Sequence, residues 1–293
     1  MMKKVLVLGA EGMLGHTLFR FLAEDNKFEA VATSINAAGA FTWLAPAFAS
    51  RVQFGVDANE VGRLEKIFSL LRPDFVVNCI GLVKPFQIAK DPASAMNINA
   101  QLPHRLALIC KASGIKFIQI GSDAVFDGKQ GMYTETDQAR PLDLYARTKF
   151  LGEVSYPNCV TLRTSIIGHE LVEKSGLVEW FLLQKTKVNG YTKVIYSGFP
   201  TIELARIISD YILPNDKLSG IYHVSSEAIS KYDLLKLIAR RYGKEIEILP
   251  DESVICDRSL DSSVFRALTG YCPPLWEELV DKMYNDYQMH LNK

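Results

Sequence analysis

Short apolar runs alternate with amphipathic segments through the first half of the chain. The run at residues 4–8 (KVLVL) is continuous and rich in valine and leucine, which is typical of a strand buried on both faces of a parallel sheet. Similar runs predict further strands at 29–33, 52–55, 75–80, 116–120 and 160–163. Helices are predicted between them at 13–23, 59–71, from 91 onward and at 145–153. This alternation predicts an α/β fold with a doubly wound parallel sheet, the Rossmann arrangement.

The alternation becomes irregular beyond residue 165. Short helices are predicted at 177–185, 201–213 and 231–242, short strands at 221–224 and 246–249, and a terminal helix at 275–287. We interpret residues 1–165 as a dinucleotide-binding domain. Residues 166–293 are interpreted as a smaller substrate-binding lobe, which could return segments to the first domain.

A glycine loop follows the first predicted strand directly. Gly9, Gly12 and Gly15 are spaced G-x-x-G-x-x-G and lie between that strand and the first helix. The first glycine permits a tight turn, the second lets a pyrophosphate approach the backbone, and the third lets helix and strand pack closely. The loop therefore predicts dinucleotide contacts from Gly9, Glu11, Gly12, Met13, Leu14 and Gly15.

The second predicted strand ends at Thr33 and Ser34, and no acidic residue follows. A carboxylate at this point binds the ribose 2′-hydroxyl of NAD and repels the 2′-phosphate of NADP, so its absence permits NADP(H). No arginine lies beside the position either, so the sequence does not demand NADP(H). We favour NADP(H) as the cofactor and keep NAD(H) open. Asp57 is a candidate for the adenine edge, with a helix N-cap as the alternative. Further cofactor contacts are predicted at Thr33, Cys79, Ile80, Gly81 and Asn99.

Tyr145 and Lys149 are four residues apart, so a helix places them on one face, one turn apart. A free tyrosine has a pKa of about 10, and a nearby positive charge lowers this pKa. Ser122 follows a predicted strand and supplies a second hydroxyl that can hold a carbonyl oxygen. The three residues predict a proton-transfer site at the carboxyl edge of the sheet.

Composition excludes several classes of partner. The 33 basic and 33 acidic residues give a formal net charge of zero, which disfavours a nucleic-acid surface. The five cysteines are far apart without metal-ligand spacing, as in reduced cytosolic proteins. The first apolar run is too short for a signal peptide, and no stretch is long enough to cross a membrane. We expect a cytoplasmic protein.

Taken in order, the glycine loop, Ser122, Tyr145 and Lys149 resemble the extended short-chain dehydrogenase/reductases. The resemblance is closer to the dTDP-4-dehydrorhamnose reductase group. It rests on the stretches 9–15, 122–128, 133–137, 141–142 and 145–153. Weaker matches at 162–165, 220–225 and 258–263 extend it over nearly the whole chain.

This resemblance implies an NAD(P)H-dependent reductase of a nucleotide-linked 4-keto-6-deoxy sugar, in deoxysugar or surface-polysaccharide biosynthesis. It implies Tyr145 as proton donor, Lys149 as its partner and as a ligand of the nicotinamide ribose, and Ser122 as the third hydroxyl. It also implies an arginine contact with the nucleotide diphosphate. For the oligomeric state, a homodimer stays an open alternative. The substrate contacts that we predict are Lys84, Asp123, Val125, Phe126, Trp180, Phe199 and Arg258.

Three other activities occur among proteins that resemble this chain. A 4,6-dehydratase is disfavoured, because its relatives place Asp-Glu after the active hydroxyl, whereas here Asp123 is followed by Ala124. An epimerase with retained NAD would use the same Tyr145 and Lys149, so it stays open. A non-catalytic NADP-binding regulatory subunit, like the one of methionine adenosyltransferase, is the alternative from a different class. The intact Ser122, Tyr145 and Lys149 favour an enzyme.

Overall fold

A central sheet and two layers of helices make up the computed structural model, which describes residues 2–25, 27–37, 46–83, 91–171 and 174–292. The strands are β1 (Lys3–Leu8), β2 (Phe28–Thr33), β3 (Val52–Gln53), β4 (Phe75–Asn78), β5 (Lys116–Ile120), β6 (Cys159–Arg163), β7 (Ile166–Ile167), β8 (Lys187–Tyr191), β9 (Val194–Tyr196), β10 (Phe199–Pro200), β11 (Gly220–His223), β12 (Ile229–Ser230), β13 (Glu247–Asp251) and β14 (Cys256–Asp257). The α-helices are α1 (Met13–Glu24), α2 (Pro46–Ala49), α3 (Val61–Leu71), α4 (Pro92–Ala95), α5 (Leu102–Ala112), α6 (Leu144–Leu151), α7 (Leu177–Leu183), α8 (Thr201–Ile207), α9 (Lys231–Tyr242), α10 (Ser263–Thr269) and α11 (Trp276–His290).

Seven parallel strands form the central sheet in the order β11-β6-β5-β4-β1-β2-β3. The first strand lies inside the sheet, and the chain winds outward from it in both directions. This arrangement confirms the predicted doubly wound α/β fold. Because all seven strands run the same way, their carboxyl ends meet at one edge, where such sheets bind ligands.

The side chains of β1 alternate between two cores. Val5 and Val7 face the core that includes residues of α1, α8 and α11, whereas Leu6 and Leu8 face the core that includes residues of α3 and α5. All four side chains are fully buried. Burial of each contributes on the order of 2 kcal/mol, which explains why this run is apolar at every position.

Two predicted helices are interrupted by wider turns. The helix expected from residue 91 onward consists of α4, a π-helical segment at Met96–Gln101 and α5. The helix expected at 201–213 consists of α8 and a second π-helical segment at Ile208–Ile212. π-helical turns are rare and often occur at functional sites, and the first of these lies beside α6.

The second half of the chain packs onto the first. Strand β11 joins the central sheet beside β6, and α8 packs against α1. Arg20 of α1 and Asp286 of α11 form a buried bidentate ion pair with two N–O distances of 2.8 Å. The division at residue 165 stays a prediction. Within the described part of the chain, no helix combines the length and apolarity needed to cross a membrane.

Candidate active site

The glycine loop joins β1 to α1. One of its glycines has a positive φ, and another lies too close to the neighbouring backbone to carry a side chain. Gly9 has a φ of +83°, which favours glycine over other residues. A Cβ atom on Gly15 would lie 1.9 Å from the Gly9 carbonyl oxygen, so only glycine lets α1 pack this closely. A Cβ on Gly12 would meet the nearest atom at 3.6 Å, so packing alone does not require glycine there.

A cavity of about 750 Å³ lies against this loop, within the range usual for cofactor sites. It is lined by predicted cofactor residues from four segments of the carboxyl edge: Gly9, Glu11, Gly12, Met13, Thr33, Asp57, Cys79, Ile80 and Gly81. The other lining residues carry no predicted cofactor contact, and they are Ser34, Ile35, Asn36, Val56, Ala58, Asn59, Leu82, Ala93, Ser94, Asn97, Ile98, Glu170 and Leu171.

Most of the missed lining residues are close neighbours of predicted ones. Ile35 and Asn36 follow the end of β2 directly, so a window two or three residues longer would have included them. Glu170 is different, because it lies far from the glycine loop in sequence and no local motif marks it. Its Oε2 atom accepts hydrogen bonds from the backbone nitrogens of Ser175 and Gly176, at 2.8 and 2.7 Å.

Three predicted cofactor residues support the cavity from behind. Leu14 and Gly15 are buried in α1, and Leu14 packs in the core that also includes residues of α8 and α11, which we call the main core. Asn99 lies in the first π-helical segment, and its Oδ1 accepts a hydrogen bond from the backbone nitrogen of Leu82 at 2.8 Å. Its Nδ2 donates to the Leu82 carbonyl and to Thr148 Oγ1, at 2.9 and 3.3 Å. Asn99 therefore holds the cavity wall against α6.

Helix α6 is fixed at both ends. Asp143 caps its amino terminus by accepting a hydrogen bond from the Ala146 nitrogen at 2.9 Å. At the other end, a Cβ on Gly152 would lie 1.9 Å from the Asn99 carbonyl oxygen, so the helix and the π-helical segment are in close contact. These contacts determine where Tyr145 and Lys149 point.

The structure brings the three predicted catalytic residues together beyond the end of β5. Ser122 is buried, and its hydroxyl is hydrogen-bonded to the phenol of Tyr145. Lys149 is also buried, and its Nζ donates a hydrogen bond to the Ile120 carbonyl at 2.6 Å. Cys79 lies on the cavity wall and interacts electrostatically with Lys149, which links these residues to the cavity.

Burial sets the protonation of this site. It raises the pKa of Tyr145 to about 12, although the hydrogen bond from Ser122 opposes this shift. Burial also lowers the pKa of Lys149 to about 8, while the charge of Glu153 and the thiol of Cys79 oppose the change. The expected lowering of the Tyr145 pKa is therefore wrong for this structure, because desolvation of the phenol sets the shift and Lys149 is not among the groups that oppose it. The phenol keeps its proton at neutral pH.

The predicted substrate residues next to Ser122 are engaged with the protein. Burial raises the pKa of Asp123 to about 6, and the positive charge of Arg258 opposes this shift. Arg258 Nε donates a hydrogen bond to the Phe126 carbonyl at 3.0 Å. Val125 and Phe126 are fully buried, and Phe126 stacks on Tyr133 with 4.2 Å between ring centroids.

The remaining predicted substrate residues are further apart. Phe199 is fully buried in the main core, 5.9 Å from the ring of Tyr271, so a substrate contact would require its surroundings to move. Trp180 lies on α7 with 39% of its surface exposed. Lys84 lies outside the described residues. Direct substrate contacts by these side chains stay predictions.

Comparison with known proteins identifies the family. Residues 2–289 match the family model described as RmlD substrate binding domain. The chain belongs to this family. The chain matches a dTDP-4-dehydrorhamnose reductase from Bacillus anthracis, solved in complex with NADP, with a TM-score of 0.79 and 20% identity over 98% of this chain and 99% of that one. That likeness and the family match confirm the predicted resemblance to the extended short-chain dehydrogenase/reductase fold.

Two curated relatives of this RmlD-family protein carry different names. The methionine adenosyltransferase 2 subunit beta of Danio rerio is 29% identical over 255 residues, covering 82% of this chain and 74% of the relative. The dTDP-4-dehydrorhamnose reductase of Aggregatibacter actinomycetemcomitans is 25% identical over 243 residues, covering 79% and 76%. The relatives of this chain therefore include a protein named as a reductase and one named as a subunit of another enzyme.

Proposed function

We propose that this protein is an NAD(P)H-dependent reductase of a nucleotide-linked 4-keto-6-deoxy sugar, acting in deoxysugar or surface-polysaccharide biosynthesis. One observation carries the proposal. Ser122 and Tyr145 are hydrogen-bonded, and Lys149, one helical turn away, interacts with Cys79, which lines a cavity of cofactor size against the glycine loop. Family membership and the reductases among the relatives support the same activity.

Each catalytic side chain has one role in this reaction. The reduced nicotinamide, when bound, supplies a hydride to the ketone carbon. Tyr145 gives its proton to the oxygen of that carbon, and Ser122 donates a hydrogen bond to the same oxygen. Lys149 is held by the Ile120 carbonyl and is assigned to the ribose of the nicotinamide. General acid catalysis of this kind contributes about 10²- to 10⁴-fold.

The cavity fits a dinucleotide by its chemistry as well as by its size. Gly12 exposes backbone at the start of α1, where a pyrophosphate is stabilised by the helix dipole. We assign NADP(H) as the favoured cofactor, with NAD(H) as the alternative. Arg258 is assigned to the nucleotide diphosphate of the sugar. Its guanidinium has five N–H donors, and the described hydrogen bond to the Phe126 carbonyl uses only the one on Nε.

A substrate panel tests this proposal. The purified protein is mixed with nucleotide-linked 4-keto-6-deoxy sugars and with NADPH or NADH, and cofactor oxidation and product configuration are followed. We expect stoichiometric oxidation with at least one keto sugar. The matched control is the same nucleotide sugar with a hydroxyl in place of the ketone, which should give no oxidation. If no keto sugar in the panel is reduced, the reductase proposal is wrong.

A non-catalytic regulatory subunit is the second candidate, favoured by the similarity to methionine adenosyltransferase 2 subunit beta. In that case the protein would bind NADP, form a complex with a methionine adenosyltransferase and change its rate. It would not oxidise NADPH with any keto sugar. An epimerase differs from both, because it would purify with tightly bound NAD and change a sugar configuration without net oxidation of added cofactor.

A further inference from the structure

Glu11 has an unusual environment on the cavity wall. It lies in the glycine loop, and its Oε1 accepts a hydrogen bond from the backbone nitrogen of Ile35 at 3.3 Å. This contact ties the carboxylate to the segment that follows β2. Its Oε2 atom is buried and has no hydrogen-bond partner among the described residues. A buried carboxylate oxygen without a donor is costly, so a native protein is expected to supply the donor in its working state.

The segment after β2 is where a dinucleotide fold meets the adenosine ribose, and an acidic residue usually comes from that strand end. Here the strand end supplies Thr33 and Ser34, and the carboxylate comes from the glycine loop instead. Among the residues that the structure describes, the cavity lining includes three carboxylates, Glu11, Asp57 and Glu170, and no lysine, arginine or histidine.

We infer that Glu11 determines the specificity for the dinucleotide, an inference that rests on the proposed function. A ribose 2′-hydroxyl can donate a hydrogen bond to the Glu11 carboxylate, which needs a donor. A 2′-phosphate offers acceptors and further negative charge, so it is repelled there. Glu11 thus weakens NADPH binding and keeps NADH usable as a cofactor, whichever of the two the wild-type protein binds more tightly.

The test compares the dissociation constants of NADPH and NADH for the wild-type protein and for Glu11→Gln. Glutamine keeps an acceptor for the Ile35 nitrogen and replaces the charged oxygen with a donor. We expect the ratio of the NADPH constant to the NADH constant to fall about tenfold. Glu11→Thr, which is neutral and shorter, should shift the ratio in the same direction. Adenosine 2′,5′-bisphosphate and 5′-AMP, measured by calorimetry, should show the same change without a nicotinamide.

Glu170→Gln is the matched control, because it removes the same charge from the lining at a carboxylate held by Ser175 and Gly176. An unchanged ratio in Glu11→Gln overturns the inference while leaving the reductase proposal standing. An equal shift in Glu170→Gln also overturns it, because the effect would then come from the charge of the whole cavity. If the wild-type protein binds neither dinucleotide, both the inference and the proposed function fail.

Discussion

The cofactor side and the substrate side of the candidate site are built in different ways. The cofactor side consists of strand ends and the glycine loop, and nine of the residues predicted there line the cavity. On the substrate side, the predicted residues are engaged in contacts within the protein. Arg258 holds the Phe126 carbonyl, and Tyr133 bridges to Leu260 in the same region. Both contacts join segments more than a hundred residues apart.

This difference shows which parts of a site are local. The glycine loop needs only a strand, a turn and a helix, so its own geometry is encoded in about fifteen consecutive residues, and most other lining residues follow short apolar strands. The substrate side depends on how the carboxyl-terminal segments pack against the loop after β5. Relatives that share the cofactor side can therefore differ on the substrate side. This agrees with the names of two relatives of this chain, one an enzyme subunit and the other a reductase.

The largest expected effect belongs to the residues between the two sides. Tyr145→Phe removes the proton donor and keeps the ring, so turnover should fall by about 10²- to 10⁴-fold. Cofactor affinity should change little, because the cavity lining is untouched. Single-turnover reduction and NADPH titration measure the two quantities separately.

Tyr222→Phe is the control for this change. Tyr222 lies on β11, and its hydroxyl donates to the carbonyl of Ser219 just before that strand, so the rate should not change. A Tyr145→Phe protein with wild-type turnover would remove Tyr145 from the mechanism.

The attachment of the carboxyl-terminal segments is tested by Asp286→Ala. This change leaves Arg20 buried without its partner, and breaking a buried ion pair in this way costs about 3–5 kcal/mol of the free energy of unfolding. Asp281 lies on the same helix as Asp286 and pairs with Arg241 of α9 near the surface, so Asp281→Ala should cost less than about 1 kcal/mol. Urea denaturation of both variants measures the difference. Equal losses would mean that the buried pair does not fasten α11 to α1.

The close contact within the glycine loop is tested by Gly15→Ala. The added Cβ would overlap the Gly9 carbonyl, so α1 must shift, at a cost of about 3 kcal/mol and with loss of dinucleotide binding. Gly62→Ala is the control, because a Cβ there meets nothing within 4 Å and alanine favours the helix. Thermal unfolding and NADPH titration report both effects. Wild-type binding by Gly15→Ala would show that the loop tolerates a wider spacing.

The strand, turn and helix around the glycine loop could be predicted from the sequence because their signals are short and local. Strand β5 and helix α9 have the predicted bounds, and the glycine spacing indicated the turn where the cavity lies. Strands such as β7, β10, β12 and β14 have only two residues each and show no periodicity that a sequence could reveal. The raised pKa of Tyr145 could not be predicted from the sequence either, because it depends on how deeply the folded protein buries the phenol.

The smallest expected effect concerns Asp123, which lies where the two sides meet. Its pKa is about 6 in the folded protein, above the ordinary value of 3.8. Between these values the unfolded chain loses the proton first, so this group reduces stability as the pH rises and the reduction is complete above pH 6. Asp123→Asn should therefore stabilise the protein at neutral pH, by on the order of 2 kcal/mol, with a smaller gain near pH 4.

Asp127 gives the opposite sign and serves as the control. The hydrogen bond from Tyr133 lowers the pKa of Asp127. The charged carboxylate therefore stabilises the fold at pH values above the ordinary pKa of aspartate, and this stabilisation is lost as the pH falls through the lowered pKa. Asp127→Asn should thus destabilise the protein at neutral pH. Urea denaturation at several pH values separates the two cases. A gain from Asp123→Asn that does not change with pH would come from packing, because only titration of a buried carboxyl makes the gain grow between the two pKa values.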